Sequence, residues 1–150
     1  MAVKPIPEGY HSITPYLTIP GVGKLLDFLK QAFEAQELHC MPLPDGTIMH
    51  AEVKIGDSRV MMGEPMGSCQ PMFGSLYLYV HDVDAVYKRA LQAGATSTSE
   101  PADQFYGDRS AGIKDPVGNQ WWIATHKEDV PPDELARRAE AVARREGRAG

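Results

Sequence analysis

The stretch Ala111-Gly-Ile-Lys-Asp-Pro-Val-Gly-Asn-Gln-Trp-Trp-Ile-Ala-Thr-His126 reads as strand, tight turn, strand. Ile113-Lys114 enter Asp115-Pro116-Val117-Gly118, a sequence suited to a sharp reversal, and the chain leaves through the bulky run Asn119-Gln120-Trp121-Trp122. The same plan occurs earlier: Ala51 to Ile55 enters Gly56-Asp57-Ser58 and leaves through Arg59-Val60-Met61-Met62.

The match extends upstream of both hairpins. At an offset of 61 residues, the run Thr14 to Ile19 falls on Ser75 to Val80, and Val22, Leu25, Leu26 and Leu29 fall on Val83, Val86, Tyr87 and Ala90. The shared frame over a strand and a helix points to duplication. Residues 12–19 alternate and carry β-branched and aromatic side chains, so they predict a strand that Pro20-Gly21 stops. Leu25, Leu26, Leu29 and Phe33 then form one apolar stripe at helical spacing. A short strand at 37–41, a turn at Leu43-Pro44-Asp45-Gly46 and a strand from Ile48 to Ile55 complete a βαβββ unit with the exit run to Met62.

The second unit starts with a strand at 75–80. Its helix is capped by Asp82 or Asp84 and closed by Gly94; a short strand at 95–97, a loop at 99–107 and strands at 108–114 and 119–125 follow. The expected organisation is an N-terminal arm (1–11), one domain over 12–127 with units at about 12–63 and 75–127 joined by a loop at 64–74, and a helical tail at 128–150. In the tail, Asp133 and Glu134 precede arginines, as the helix dipole favours. Its apolar content is thin, which leaves open a weakly packed appendage or an arm that embraces a second copy.

With 43% apolar and 23% charged residues the composition is that of an ordinary globular chain. A net charge of -5 argues against nucleic acid or anionic lipid as partners. Cys40 and Cys69 have neither disulfide-framework nor zinc-site spacing, and no apolar run approaches the roughly 20 residues that cross a bilayer. The expected location is the cytoplasm.

Tandem βαβββ units, the second ending in Asp115-Pro-Val-Gly118-Asn-Gln-Trp, resemble the vicinal oxygen chelate superfamily of glyoxalases, extradiol dioxygenases, fosfomycin-resistance enzymes and bleomycin-binding proteins. Phe105-Tyr106-Gly107-Asp108-Arg109, followed by Asp115-Pro116, Gly118 and Trp121 to His126, is similar to its glyoxalase-like subgroup of bleomycin-resistance and 3-demethylubiquinone-methyltransferase-like proteins. The resemblance covers residues 12–126. It implies an α+β fold in which the two units curve into a cup-shaped mixed sheet with helices on the outer face.

Enzymes of that superfamily usually hold a divalent metal in the cup, with ligands at the start of the first strand and on the last strand of each unit. The matching positions are Thr14, Met62, Ser75 and Trp122. None offers the imidazole or carboxylate that such an ion requires, and shifting the first unit by two residues brings only Glu64 to the Met62 place. The expectation is a cup without a cofactor, a divalent metal at a non-standard site being the alternative.

Strand alternation puts His50 and Glu52 side by side on the cup face. They are the candidate catalytic pair, a general base beside a carboxylate, and equally candidates for orienting a polar ligand or for an unremarkable histidine bonded to backbone. Asp108 either faces the cup or pairs with Arg109. Tyr16, Tyr77, Tyr79 and Trp122 share the cup parity and, with Met62, form either an adaptable apolar lining or core. His126 reads as a strand-end surface residue. The expected function is binding of a small planar or apolar molecule by a homodimer, the alternative being a lyase, isomerase or dioxygenase-like enzyme that uses His50 and Glu52.

Overall fold

The computed structural model describes residues 2–147 and consists of two four-stranded sheets and three helices. The first unit contains β1 (Tyr16–Thr18), α1 (Val22–Phe33), β2 (Gln36–Pro42), β3 (Ile48–Ile55) and β4 (Ser58–Gly63), with sheet order β1-β4-β3-β2. The second contains β5 (Ser75–Tyr79), α2 (Val83–Gln92), β6 (Thr96–Asp103), β7 (Asp108–Lys114) and β8 (Gln120–His126), with order β5-β8-β7-β6. In each unit the first strand lies parallel to the last and the other pairings are antiparallel, so the sheets are mixed and topologically identical. A final helix, α3 (Pro132–Arg145), buries none of its residues. Among the described residues no helix is long and apolar enough to cross a membrane.

Each sheet covers one face with its own helix. Ala51, Val53 and Val60 from sheet 1 and Ala111, Ile113, Trp121 and Ile123 from sheet 2 join Val22, Leu25, Leu29 and Phe33 of α1 in one apolar cluster. Phe33 packs against Trp121 of the other unit, the rings tilted by 56° and 5.0 Å apart between centroids, and Arg89 of α2 donates to the Ala32 carbonyl of α1 at 2.8 Å. The units therefore share a core, made by the faces opposite the open ones.

The hairpin that decided the fold is built around a buried carboxylate. Asp115 Oδ1 accepts from the backbone amides of Val117, Gly118 and Asn119 at 3.0, 2.8 and 3.0 Å. Its Oδ2 accepts from Asn119 Nδ2 at 3.0 Å and from Trp121 Nε1 at 2.9 Å. Asn119, with no exposed surface, then accepts the Gly74 amide at 2.8 Å and so fixes the start of β5. Gly118 sits at φ 112°, a conformation that costs a residue with a Cβ, which explains its place in the turn.

Several strand limits differ from the sequence expectation. β1 is only three residues long, because only Tyr16–Thr18 pair with β4. β6 continues to Asp103 through a region expected to be loop: it is an edge strand, where Pro101 removes no needed ladder bond, and its register shifts absorb the irregular residues. Asp82 is the α2 cap, accepting from the Ala85 amide at 3.2 Å. The N-cap position of α1 is Gly21, which has no side chain to cap the helix. Glu64 does so from β4's far end, accepting the Gly21 and Val22 amides at 3.0 and 3.1 Å.

Candidate functional site

On the open face of sheet 1, Tyr16 from β1 lies beside His50 and Glu52 from β3. His50 Nε2 stands 2.7 Å from Glu52 Oε2, and His50 Nδ1 stands 3.1 Å from the Tyr16 hydroxyl. A carboxylate only accepts, so Nε2 carries the ring proton and Nδ1 accepts from Tyr16. Burial, and then the nearby His39, hold the His50 pKa below the ordinary value of 6.5, which keeps the ring neutral. Both ring nitrogens are thereby engaged.

Sheet 2 carries a second array on its open face. Asp108, the first residue of β7, is buried, and its Oδ2 accepts from the hydroxyls of Tyr77 and Tyr79 on β5 at 2.8 and 2.9 Å. Its Oδ1 faces His126 Nδ1 at 2.8 Å, across the Asp108–His126 pair of β7 and β8. His126 Nε2 faces Asp129 at 2.7 Å. With carboxylates on both nitrogens, the imidazole donates from both, and the bonds to Asp108 and then Asp129 raise its pKa. Burial pushes Asp108 upward, but the bonds from His126, Tyr77 and Tyr79 outweigh it and hold the carboxyl below its ordinary value.

Met62 is corrected by the structure. Its side chain is fully buried in the core, because it pairs with Ala51 and shares that residue's face. The open-face position on β4 is Met61, which pairs with Glu52 and with Tyr16. The offset of 61 that joins Tyr16 to Tyr77 also joins Met61 to Trp122. Asp108 does not pair with Arg109, which instead grips Asp84 at 2.9 and 3.0 Å and Asp103 at 3.3 Å. His126, the exposed last residue of β8 as expected, is in addition the partner of Asp108.

Thr14, Tyr16, Ser75 and Tyr77 come together along a cavity of about 540 Å³ at the edge strands β1 and β5, which Tyr10 and His11 also line. His50, Glu52, Tyr79, Asp108 and Trp122 lie outside it on the two open faces. Trp122 lies across Gly112, the β7 residue it pairs with; a Cβ there would stand 2.8 Å from the Trp122 ring and 2.5 Å from the Thr98 hydroxyl. Tyr16, Tyr77 and Tyr79 are 48%, 44% and 60% exposed, a high value for large aromatic side chains. The polar contacts of each open face stay within its own unit.

The positions that the resemblance matches to metal ligands, Thr14, Ser75 and Trp122 with Met61 as the open-face residue of β4, offer neither the imidazole nor the carboxylate that such a site uses. Glu64 is occupied by the α1 amides, and His50 and Glu52 by each other. Among the described residues no three His, Cys, Asp or Glu side chains gather as a metal site. The donor set does not fit the superfamily's metal.

Paired βαβββ units with one helix-covered and one open face each define a glyoxalase-type fold. The chain belongs to the Glyoxalase/Bleomycin resistance protein/Dioxygenase superfamily, whose model matches residues 11–123. It is 34% identical over 135 residues to an uncharacterized protein of Mycobacterium tuberculosis, covering 83% of this chain and 79% of the relative. Among solved structures it is similar to TioX from Micromonospora sp. ML1 (25% identity, TM-score 0.67, covering 78% of this chain and 99% of TioX). It shares its fold with TnmS3, an antibiotic binding protein from a Streptomyces species (22% identity, TM-score 0.60, covering 79% of this chain and 100% of TnmS3).

Proposed function

We propose that this protein binds a small planar or apolar molecule against the open aromatic faces of its two units, without a metal, and that a homodimer supplies the complete cup. The observation that carries this reading is the set of exposed rings, Tyr16, Tyr77, Tyr79 and Trp122, on sheet faces where no metal-ligand set gathers among the described residues. Aromatic faces with polar rims suit planar guests, and Met61, Met66 and Met72 add adaptable surface. The description of TnmS3 as an antibiotic binding protein supports the same reading. Burying four such rings against a partner or ligand favours association, hence the homodimer.

His50 with Glu52 supports catalysis less well. A general base needs a nitrogen free for the substrate, and here one nitrogen donates to Glu52 while the other accepts from Tyr16. The pair fits a role in orienting Tyr16.

A thermal-shift screen of aromatic metabolites and antibiotics, run with and without chelator, tests the reading. The expected result is a chelator-independent rise in melting temperature for a subset of planar compounds. Stoichiometric metal in the purified protein, lost together with turnover in His50→Ala, would overturn it in favour of the enzyme.

A further inference from the structure

Which hydrogen-bonding pattern the bound molecule carries follows from where the protons of the open faces already are. Asp108 has no proton to give, so both tyrosine hydroxyls that meet its Oδ2, those of Tyr77 and Tyr79, must donate to it. A phenol has a single proton. Each of these oxygens therefore keeps only lone pairs for a ligand, one of Tyr77's facing the Tyr106 hydroxyl at 3.4 Å. Tyr16, at the equivalent place in the first unit, is committed in the same way through its bond to His50 Nδ1.

The duplicated tyrosine position thus presents acceptors on both faces. Local charge points the same way: Asp108 and Asp129 outnumber the one His126 cation between them, within a chain of net charge -5. The rings of Tyr77, Tyr79 and Trp122 add π-faces that attract cations.

We infer that the binding face of the second unit selects planar aromatic molecules that bear a protonated amine or comparable N–H donor, with Tyr77 and Tyr79 as specificity-determining acceptors locked by Asp108. This rests on the small-molecule-binding reading above. An anionic or acceptor-only ring of the same shape meets acceptors rather than donors at Tyr77 and Tyr79, beside the Asp108 carboxylate.

A matched set of acridines tests it by isothermal titration calorimetry in neutral buffer: 9-aminoacridine (cation), acridine (uncharged, acceptor only) and acridine-9-carboxylate (anion). The expected result is that 9-aminoacridine binds about tenfold or more tightly than the other two, the order of a charge-assisted hydrogen bond. Tyr77→Phe combined with Tyr79→Phe removes that preference while acridine binding is retained, which also shows that the double variant is folded. Asp108→Ala, which removes the acceptor, frees both tyrosine protons and narrows the gap between amine and carboxylate. Equal affinity for all three rings overturns the donor rule and leaves small-molecule binding standing. No binding of any ring, as when a second copy covers the face, overturns both.

Discussion

Replacing Asp115 removes the acceptor for five donors at once, and the cost follows from which of them water can reach. The Val117 and Gly118 amides lie at the partly exposed turn and regain a solvent partner. The Asn119 amide, Asn119 Nδ2 and Trp121 Nε1 belong to residues with 0% and 2% exposure and do not. Each stranded buried donor costs about 1–3 kcal/mol, so Asp115→Ala is expected to lose about 4 kcal/mol after relaxation of the turn. That is a large part of the roughly 5–15 kcal/mol that holds a domain together. Asp115→Asn keeps an acceptor for the turn amides but points an NH₂ group at two other donors, so a loss of about 2–3 kcal/mol is expected. Urea unfolding followed by circular dichroism reads both as a lower midpoint at constant slope. A second check is the cycle with Trp121→Phe, in which the two changes should be less than additive, since phenylalanine has no donor to strand. A loss below about 1 kcal/mol for Asp115→Ala would refute the reasoning.

Three further outcomes are expected. Glu64→Ala removes the side-chain acceptor of the α1 N-terminus and should cost about 1–2 kcal/mol in the same unfolding assay, with Glu64→Gln intermediate because it keeps the acceptor but not the charge. His126 has a folded pKa above 6.5, so its contribution to stability is complete below that value and disappears as pH rises through the folded pKa. The unfolding midpoints of the wild type and His126→Gln should therefore differ most at mildly acid pH and converge in alkali; a gap that widens with pH contradicts the assignment. Gly112→Ala drives a methyl into the Trp122 ring and should weaken binding of planar compounds by displacing that ring, seen as a change in tryptophan fluorescence with the fold retained.

The fold was legible because it is repeated. Two hairpins and one offset marked the strands, the amphipathic stripes marked the helices, and Pro and Gly marked the turns. The face on which candidate side chains stand was legible by parity alone, which placed Tyr16, Tyr77, Tyr79 and Trp122 on open faces and failed at Met62. The reason lies in the hairpins: the exit strands match at 61 residues, as Met61 and Trp122 do, whereas the entering strands match at 60, as Glu52 and Gly112 do, because the second turn is one residue longer. The Asp108–His126 bond joins residues 18 apart across the β7–β8 hairpin, and Glu64 reaches α1 from 42 and 43 residues away. Such pairings depend on register, which local pattern does not fix. The loop expected at 99–107 became strand to Asp103 because an edge tolerates Pro101.

Binding of a planar molecule in the cup without metal is tested most directly by tryptophan fluorescence. Trp122 lies on the open face while Trp121 is buried, so a ligand in the cup quenches the first and leaves the second. The measurement is a titration of chelator-treated protein with the planar compounds that raise its melting temperature, alongside Trp122→Phe. Saturable quenching, unchanged when divalent ions are restored and absent from Trp122→Phe, is the expected result. Quenching that appears only after a divalent ion is added, or that persists in Trp122→Phe, would contradict it.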